Sequence, residues 1–120
     1  MEPKVNEEMM EEVNNKSEHR HILIFNVTGP NTDMNAQTNF LISKMNAYAK
    51  SEHIDVTIRM ESASQIGKKG EEADIILLTP ELYAMLDDVS GKYPNKAVKV
   101  IDQVDYGFLH GEEVLKAALA

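Results

Sequence analysis

The sequence predicts an α/β domain of three layers, in which a four-stranded parallel sheet has helices on both faces. Two continuous apolar runs, at residues 22–25 and 75–78, are typical of strands that are covered on both faces. Segments with helical spacing of apolar residues stand between the strand-like segments. This alternation predicts right-handed parallel crossovers, which place helices on both faces of the sheet.

The other two strands are predicted at the edges of the sheet. Residues 54–60 alternate between apolar and polar side chains, which indicates one buried face and one wet face. The apolar positions of this segment are Ile54, Val56, Ile58 and Met60. The apolar run at residues 98–101 is interrupted by Lys99, which is typical of a strand at the opposite edge of the sheet. With the two apolar runs in the centre, the predicted strand order is 2-1-3-4.

Helices are predicted between and after these strands. Residues 38–52 carry apolar side chains at helical spacing, and Asp33, Asn35 and Thr38 are the candidate caps. A second helix is predicted after the third strand, with Thr79 as N-cap, Pro80 in the first turn and Gly91 at the end. Its predicted buried stripe consists of Leu82, Met85, Leu86 and Val89. Residues 62–70 predict a short helix or turn, and residues 112–120 a final amphipathic helix.

Length and composition are those of one soluble domain. The chain has 120 residues, of which 42% are hydrophobic and 27% charged. No apolar run approaches the roughly 20 residues that a membrane-spanning helix needs, and no signal peptide is visible. Residues 1–20 contain six Glu and few large apolar side chains, so we expect an acidic mobile tail, with an acidic docking arm as the functional alternative. Residues 21–120 are the predicted α/β domain, and the expected location is the cytoplasm.

Charge and cysteine content exclude several classes of function. The chain has no Cys, which excludes disulfides, thiolate metal sites and cysteine nucleophiles. The formal net charge is −8, with 12 Lys and Arg against 20 Asp and Glu. Because phosphate binding requires a concentrated basic surface, nucleic acid is not an expected partner.

The predicted strand order indicates where a ligand-binding crevice would lie. The chain reverses direction between strands 1 and 3, and ligands of open α/β sheets bind outside the carboxyl ends of the strands at such a point. Residues 26–37, together with Thr79 and Pro80, border this crevice.

From residue 21 to the end, the sequence resembles the lactose/cellobiose class of enzyme IIB subunits of the bacterial sugar phosphotransferase system. Five segments in the same order carry the resemblance: "ILIF", "FLISKM", "KKGEEADIILLTPELYAML", "YPNKAVKVID" and "YGFLHGEEVLKAAL". The resemblance implies a four-stranded parallel sheet and a role in disaccharide uptake. It also implies that a phosphohistidine on a IIA-type partner gives a phosphoryl group to the subunit, which passes it to sugar bound by the membrane IIC-type component. No cofactor is implied.

The resemblance fails where the family carries its phosphoryl group. That group resides on a Cys directly after strand 1, and the aligned position here is Asn26. Asparagine has no thiolate or anionic oxygen that could accept a phosphoryl group, so the usual carrier chemistry cannot run through it. The loop is also several residues longer than the family's. An engineered inactivation would require no insertion, so the longer loop argues against one.

The loop after strand 1 keeps some features of an anion cradle. Gly29 permits a close backbone approach, and a helix start follows, which offers unpaired N–H donors. Against a cradle, Pro30 removes one donor and Asp33 adds negative charge. A solvated surface loop is the equally weighted alternative. The candidate anion-binding residues are Val27, Thr28, Gly29, Asn31, Thr32 and Thr38.

Two loop side chains could substitute for the missing thiol. Asp33 could form an acyl phosphate and Thr28 a phosphoester, although neither has a visible base or metal partner. Most Asp and Thr residues in such loops form caps and turns instead.

Residues after strands 3 and 4 could form the rim of the crevice. The candidates are Thr79, Pro80, Tyr83, Asp102 and Tyr106. For Tyr83, packing against the domain is the favoured interpretation, because it fits helical spacing.

No metal site is predicted. His19 and His21 lie at the entrance of strand 1 and lack further ligands, so solvent exposure is expected for both, as it is for His53 and His110. Two other phosphate-handling classes are also excluded. A low-molecular-weight phosphatase needs Cys and Arg in this loop, and a response-regulator receiver needs Asp after strand 3, where Thr79 stands.

Two hypotheses therefore follow from the sequence. The first is a IIB-type component of a phosphoenolpyruvate-dependent sugar phosphotransferase system that works with IIA-type and IIC-type partners, without phosphoryl transfer through Cys. The second is a non-catalytic relative that keeps the fold and the partner-facing surface as a binding or regulatory module.

Overall fold

The computed structural model describes residues 19–27 and 33–120, and the side chains of residues 33–35 are outside the description. The predicted acidic tail and most of the loop after the first strand therefore lie outside the described residues. The four strands are β1 (Arg20–Asn26), β2 (Val56–Ser62), β3 (Ile75–Leu78) and β4 (Ala97–Val100). The α-helices are α1 (Asp33–Ser51), α2 (Ile66–Lys69), α3 (Leu86–Lys92), α4 (Gln103–Gly107) and α5 (Gly111–Leu119). Short 3₁₀ helices span Ala63–Gln65, Gly70–Glu72 and Pro80–Met85.

The four strands form one parallel sheet in the order β2-β1-β3-β4, which confirms the predicted fold. Ile22 of β1 pairs with Ile58 of β2 on one side and with Ile75 of β3 on the other. β1 and β3 are therefore the two central strands, and their carboxyl ends lie at the same edge of the sheet. This edge is called the carboxyl edge below.

Helices cover both faces of the sheet, as the unbroken apolar runs predict. On one face, Ile22 and Ile24 pack with Leu41 and Met45 of α1 and with Leu115 of α5. The odd-numbered residues of β1 lie on the other face. They pack there with apolar side chains from the segments that follow β2 and β3. This second cluster includes Leu23, Phe25, Ile66, Leu82, Val89 and Tyr93. Because both faces are dry, β1 and β3 contain no polar side chain between residues 22 and 25 or 75 and 78.

The first helix begins earlier than the sequence predicted. α1 starts at Asp33 rather than at residue 38, so the preceding loop is shorter than expected and Asn35 and Thr38 are not caps. Thr38 lies inside the helix with a completely buried side chain. The sequence misplaced the start because residues 33–37 contain only Met34 as a large apolar side chain and so show no apolar stripe, although they belong to the same helix.

The segment after β3 differs from a single capped α-helix. Thr79 stands at the N-cap position and Pro80 follows, but the Thr79 side chain makes no capping hydrogen bond. The chain forms a 3₁₀ helix, with a kink at Leu82 (φ −99°, ψ 15°), before α3 begins at Leu86. Gly91 does not end this helix, because α3 continues to Lys92 and Tyr93 caps it.

The remaining predicted elements are present with small shifts of their ends. β1 begins at Arg20, one residue before the predicted domain boundary. β4 ends at Val100, and the final helix begins at Gly111. Residues 62–70 form the predicted short helical turns. These shifts do not move the carboxyl edge, which is where the candidate site lies.

Candidate functional site

The buried polar side chains of the described part of the chain all lie near the carboxyl edge. They are Asn26, Thr38 and Thr79, with exposed fractions of 1%, 0% and 0%. Asn26 is the last residue of β1, Thr79 directly follows β3, and Thr38 lies in the second turn of α1. The sheet order brings the first two side by side at the point where the chain reverses direction. This is the position at which open α/β sheets bind ligands.

Asn26 occupies the end of β1 as a hydrogen-bonded core residue. Its Nδ2 atom donates to Thr38 Oγ1 over 3.1 Å and to Met60 Sδ over 3.2 Å. These contacts fix the Asn26 amide against α1 and β2. A buried amide in such a network is costly to replace, because removing one partner leaves the other without a hydrogen bond in a dry environment.

Tyr106 extends this network to α4. Its hydroxyl lies 2.8 Å from Thr38 Oγ1, and its main-chain carbonyl accepts a hydrogen bond of 3.0 Å from Gln37 Nε2. Tyr106 is buried, with an exposed fraction of 5%. We call Asn26, Thr38 and Tyr106, with these contacts, the buried polar network. It joins the end of β1, the start of α1 and the helix after β4.

Burial raises the pKa of Tyr106 above its ordinary value of 10.0, the Thr38 hydrogen bond acts in the opposite direction, and the negative charge of Glu81 adds to the increase. Ionising this phenol would put an anion into a buried site, which explains the direction. At neutral pH Tyr106 is therefore a protonated hydrogen-bonding group in the network.

Thr79 is the third buried polar residue at this edge. Its main-chain N–H donates to the Phe25 carbonyl over 3.1 Å, which ties the chain after β3 to β1. Among the described residues, the Thr79 Oγ1 atom has no hydrogen-bond partner. The Thr79 main-chain carbonyl accepts from Leu82 N over 2.8 Å and so starts the 3₁₀ helix.

Some of the residues predicted for the rim of the crevice are buried and others are exposed. Tyr106 lies in the core rather than at the rim. Asp102 is exposed and caps α4, where its Oδ2 accepts from Val104 N over 3.0 Å and from Asp105 N over 3.1 Å. Pro80 is half-buried at the start of the 3₁₀ helix. The packing prediction for Tyr83 was wrong, because its side chain is 71% exposed. The 3₁₀ geometry and the kink rotate it away from the α-helical stripe.

Much of the predicted anion-binding loop lies outside the described residues. Val27 is exposed directly after β1, and Asp33 is the first residue of α1. Nothing is described for residues 28–32, which include Thr28, Gly29, Asn31 and Thr32. The anion cradle and the two substitute phosphoryl acceptors therefore stay predictions.

The four histidines lie away from the carboxyl edge or in surface contacts. His21 and His53 are exposed as predicted, and exposed His110 places Nδ1 2.9 Å from Asp105 Oδ1. His19 was predicted to be exposed but is half-buried, and both of its ring nitrogens lie at hydrogen-bond distance from side chains of the domain. No group of three or more His, Cys, Asp or Glu side chains that could hold a metal ion occurs among the described residues.

Sequence reasoning missed the roles of Gln37, Thr38, Met60 and Tyr106 as partners in one network. Thr38 and Tyr106 are 68 residues apart in the chain, and no local pattern links them. One signal was available: Thr38 lies one helical turn before buried Leu41 and half-buried Ile42, on the stripe that faces the sheet.

Large apolar side chains are exposed around the carboxyl edge. Val27 directly follows β1, Tyr83 lies in the 3₁₀ helix after β3, and Val104 and Phe108 lie in and just after α4, which follows β4. Phe40, two residues after Thr38 in α1, is 61% exposed, and Phe108 is 72% exposed. Exposed aromatic side chains of this size are typical of protein–protein contact surfaces. In the described part of the chain, no helix is both long enough and apolar enough to cross a membrane.

Comparison with known proteins identifies this scaffold. Residues 34–117 match the family model of the PTS system, Lactose/Cellobiose specific IIB subunit. The chain is similar to the cellobiose-specific phosphotransferase IIB component protein of Borrelia burgdorferi, with 26% identity, a TM-score of 0.62 and coverage of 82% of this chain and 89% of that chain.

Two further solved structures share the fold at lower identity. The lactose-specific IIB component domain of Streptococcus pneumoniae is 13% identical, with a TM-score of 0.66 and coverage of 85% of this chain and 96% of that chain. A putative lipoprotein fragment of Peptoclostridium difficile 630 is 12% identical, with a TM-score of 0.57 and coverage of 84% of this chain and 99% of that chain.

The family match begins at residue 34, so β1, Asn26 and the loop after it lie before the matched region. The match covers 84 of 120 residues and contains the other three strands and all the α-helices except the first residue of α1 and the last two residues of α5. The chain belongs to the family of lactose/cellobiose-specific IIB subunits of the sugar phosphotransferase system.

Proposed function

We propose that this chain is a IIB-type component of a phosphoenolpyruvate-dependent sugar phosphotransferase system that binds IIA-type and membrane IIC-type components without carrying a phosphoryl group on residue 26. It acts as a non-catalytic binding or regulatory module. The observation that carries this proposal is Asn26, which stands at the end of β1 with its amide bonded to Thr38 and Met60.

The chemistry of Asn26 supports the non-catalytic assignment. A phosphoryl acceptor needs a nucleophilic lone pair that faces the donor. The lone pair of an amide nitrogen is delocalised into its carbonyl, and both Nδ2 contacts of Asn26 face inward, toward α1 and β2. The side chain is 1% exposed, so it presents almost no surface to an incoming phosphohistidine. In this chain, residue 26 acts as a structural member of the buried polar network.

The exposed apolar side chains support partner binding at the carboxyl edge. Val27, Tyr83, Val104 and Phe108 follow the ends of three strands and cost hydration free energy where they stand. Covering Phe108 with a partner would recover part of that free energy. In this proposal the chain no longer carries a phosphoryl group, but it still binds its partners.

The class of sugar is the next part of the proposal. The Borrelia burgdorferi structure is of a cellobiose-specific component and the Streptococcus pneumoniae structure of a lactose-specific one. We therefore propose that the system served by this chain imports an oligosaccharide of the cellobiose or lactose type. The chain would then act at the cytoplasmic side of the membrane, where it would meet its IIA-type and IIC-type partners.

The test is incubation with a phosphohistidine-charged IIA-type protein, followed by intact-mass measurement and fragmentation. A cysteine-bearing lactose/cellobiose IIB protein serves as the positive control. We expect no gain of a phosphoryl group by this chain, together with measurable binding to the IIA-type or IIC-type component by calorimetry. A stoichiometric phosphoryl group on Thr28 or Asp33 would contradict the non-catalytic assignment and favour a substitute acceptor.

Binding at the carboxyl edge is tested with a pair of surface variants. Phe108→Ser removes an exposed aromatic side chain there and should weaken partner binding at least tenfold, about 1.4 kcal/mol, as for an interface aromatic. The matched control is His53→Ser, an exposed ring at the opposite edge, which should leave the affinity unchanged. Equal affinities of the two variants would place docking elsewhere.

A further inference from the structure

The amino edge of the sheet, opposite the buried polar network, carries a hydrogen-bonded triad that the proposed function does not use. His19 Nδ1 lies 2.6 Å from Asp55 Oδ1, and His19 Nε2 lies 2.9 Å from Thr57 Oγ1. Thr57 is the second residue of β2, Asp55 precedes that strand, and His19 precedes β1. A hydroxyl, an imidazole and a carboxylate thus stand in sequence at hydrogen-bond distances.

The direction of these hydrogen bonds follows from their chemistry. A carboxylate only accepts, so the Nδ1 atom of His19 carries a proton and donates to Asp55. In the neutral imidazole the Nε2 atom then has a free lone pair, which accepts the hydrogen bond from the Thr57 hydroxyl. This is the arrangement in which a base can take the proton of a hydroxyl nucleophile while a third group holds the ring in position.

The Thr57 side chain also faces a groove. A depression of about 310 Å³ is lined by His21, Leu23, Thr57, Arg59 and Glu72. Thr57 pairs with His21 in the sheet register, and Arg59 pairs with Leu23. Thr57 and Arg59 are two residues apart on β2, so their side chains stand on the same face about 7 Å apart. The groove therefore holds a hydroxyl and, at a short distance, a cation, together with the carboxylate of Glu72, which lies 3.8 Å from Lys69 Nζ.

We propose that Thr57, His19 and Asp55 form an acyl-transfer site for small activated esters that carry a carboxylate. The Thr57 Oγ1 atom attacks the ester carbonyl carbon while its proton passes to His19 Nε2. The ester C–O bond then breaks, and the leaving oxygen takes the electron pair and the proton from His19. Water hydrolyses the acyl-threonine by the reverse proton path, which releases the acid and restores the hydroxyl. Arg59 binds the carboxylate of the substrate, and Asp55 is a positioning residue.

The test uses mono-4-nitrophenyl succinate as the anionic probe and 4-nitrophenyl acetate as the neutral one. Release of nitrophenolate is followed by absorbance, and the acylated residue is located by intact mass and fragmentation. We expect a succinyl group on Thr57 and its loss in Thr57→Val. His19→Gln should slow acylation about 100-fold, the usual contribution of a general base. Arg59→Gln should raise KM for the succinyl ester while leaving KM for the acetyl ester unchanged.

Three further variants separate catalysis from structure. Thr57→Ser keeps the hydroxyl and should still be acylated at residue 57. Ser64→Ala removes an exposed hydroxyl that contacts Ser62 and should react like the wild type. Asp55→Asn should slow acylation without abolishing it. The proposal is overturned if folded wild type and Thr57→Ser show no acyl group at residue 57 and release nitrophenolate no faster than Thr57→Val. It is equally overturned if His19→Gln acylates residue 57 at the wild-type rate.

Discussion

The hydroxyl groups of Thr38 and Tyr106 lie 2.8 Å apart in the protein interior, although the two residues are separated by 68 positions in the chain. Thr38 also accepts from Asn26, so one hydroxyl connects the end of β1 with the helix after β4. Asn26, which the sequence analysis places at the predicted carrier position, is thus part of a buried hydrogen-bonded network.

Tyr106→Phe is expected to lower the free energy of unfolding by about 1 kcal/mol, because it removes the hydroxyl that Thr38 contacts and leaves a buried group with one partner fewer. Urea denaturation followed by circular dichroism measures the change. The control is Tyr83→Phe, whose side chain is 71% exposed and should change the free energy by at most a few tenths of a kcal/mol. Equal effects of both variants would show that the Tyr106 contact contributes nothing.

Stability is expected to fall as the pH rises above 10. The pKa of Tyr106 is raised by burial and that of Tyr93 is raised by burial and by Glu71, both from an ordinary value of 10.0. Above that pH the unfolded chain loses these protons while the folded chain keeps them, so rising pH favours unfolding. The stabilisation is complete below pH 10 and is lost as the pH passes through the folded-state values. Free energies of unfolding measured on both sides of pH 10 should show this slope, and Tyr106→Phe should make it shallower. A steeper slope in that variant would contradict the assignment.

Two glycine substitutions are expected to change stability in opposite directions. A Cβ atom at Gly111 would lie 2.6 Å from the Lys44 main-chain carbon and 2.7 Å from Met45 N, where α5 begins against α1. Gly111→Ala should therefore cost about 1–3 kcal/mol through overpacking. Gly91 lies exposed inside α3 with nothing within 4 Å of the same atom, so Gly91→Ala should gain roughly 0.5–1 kcal/mol of helix propensity. Thermal unfolding of both variants measures the difference, and a destabilised Gly91→Ala would be inconsistent with this geometry.

Asn26→Cys puts a thiol at the position predicted for the family's carrier residue, and we expect that this variant still does not accept a phosphoryl group. The position is 1% exposed, so a thiol there would be almost inaccessible to an incoming phosphohistidine. The variant also loses the amide that donates to Thr38, which should cost about 1 kcal/mol and lower the Tm by several degrees. Intact mass after incubation with a phosphohistidine-charged IIA-type protein measures the first effect, and a thermal scan measures the second. A stoichiometric phosphoryl group on the new thiol would show that the carrier site lacks only its sulfur.

The sequence alone was sufficient for the fold. The apolar runs at residues 22–25 and 75–78 predicted central strands, and the alternation at residues 54–60 predicted an edge strand. Both predictions were confirmed by the order β2-β1-β3-β4. A strand that is buried on one face shows alternating apolar and polar residues, and a strand that is buried on both faces shows an unbroken apolar run. Both patterns are local, so a single sequence can display them.

The side-chain contacts of the candidate site could not be predicted from local sequence patterns. Asn26 was predicted as the vacant carrier position, but its contacts with Thr38 and Met60 were not, and Tyr106 was expected at the rim rather than in the core. Tyr83 was expected to pack and is exposed, because a 3₁₀ helix with a kink replaced the regular α-helix at that point.

The sequence by itself determined the order of strands and helices, the absence of a cysteine nucleophile and the family to which the segments belong, because each of these depends on residue identity and spacing along the chain. Only the tertiary structure decided which side chains meet at the two edges of the sheet. Asn26, Thr38 and Tyr106 at one edge, like His19 and Thr57 at the other, come from distant parts of the chain. Their hydrogen bonds form because the parallel sheet and the helices packed against it bring these residues together in space. No local period in the sequence indicates that proximity.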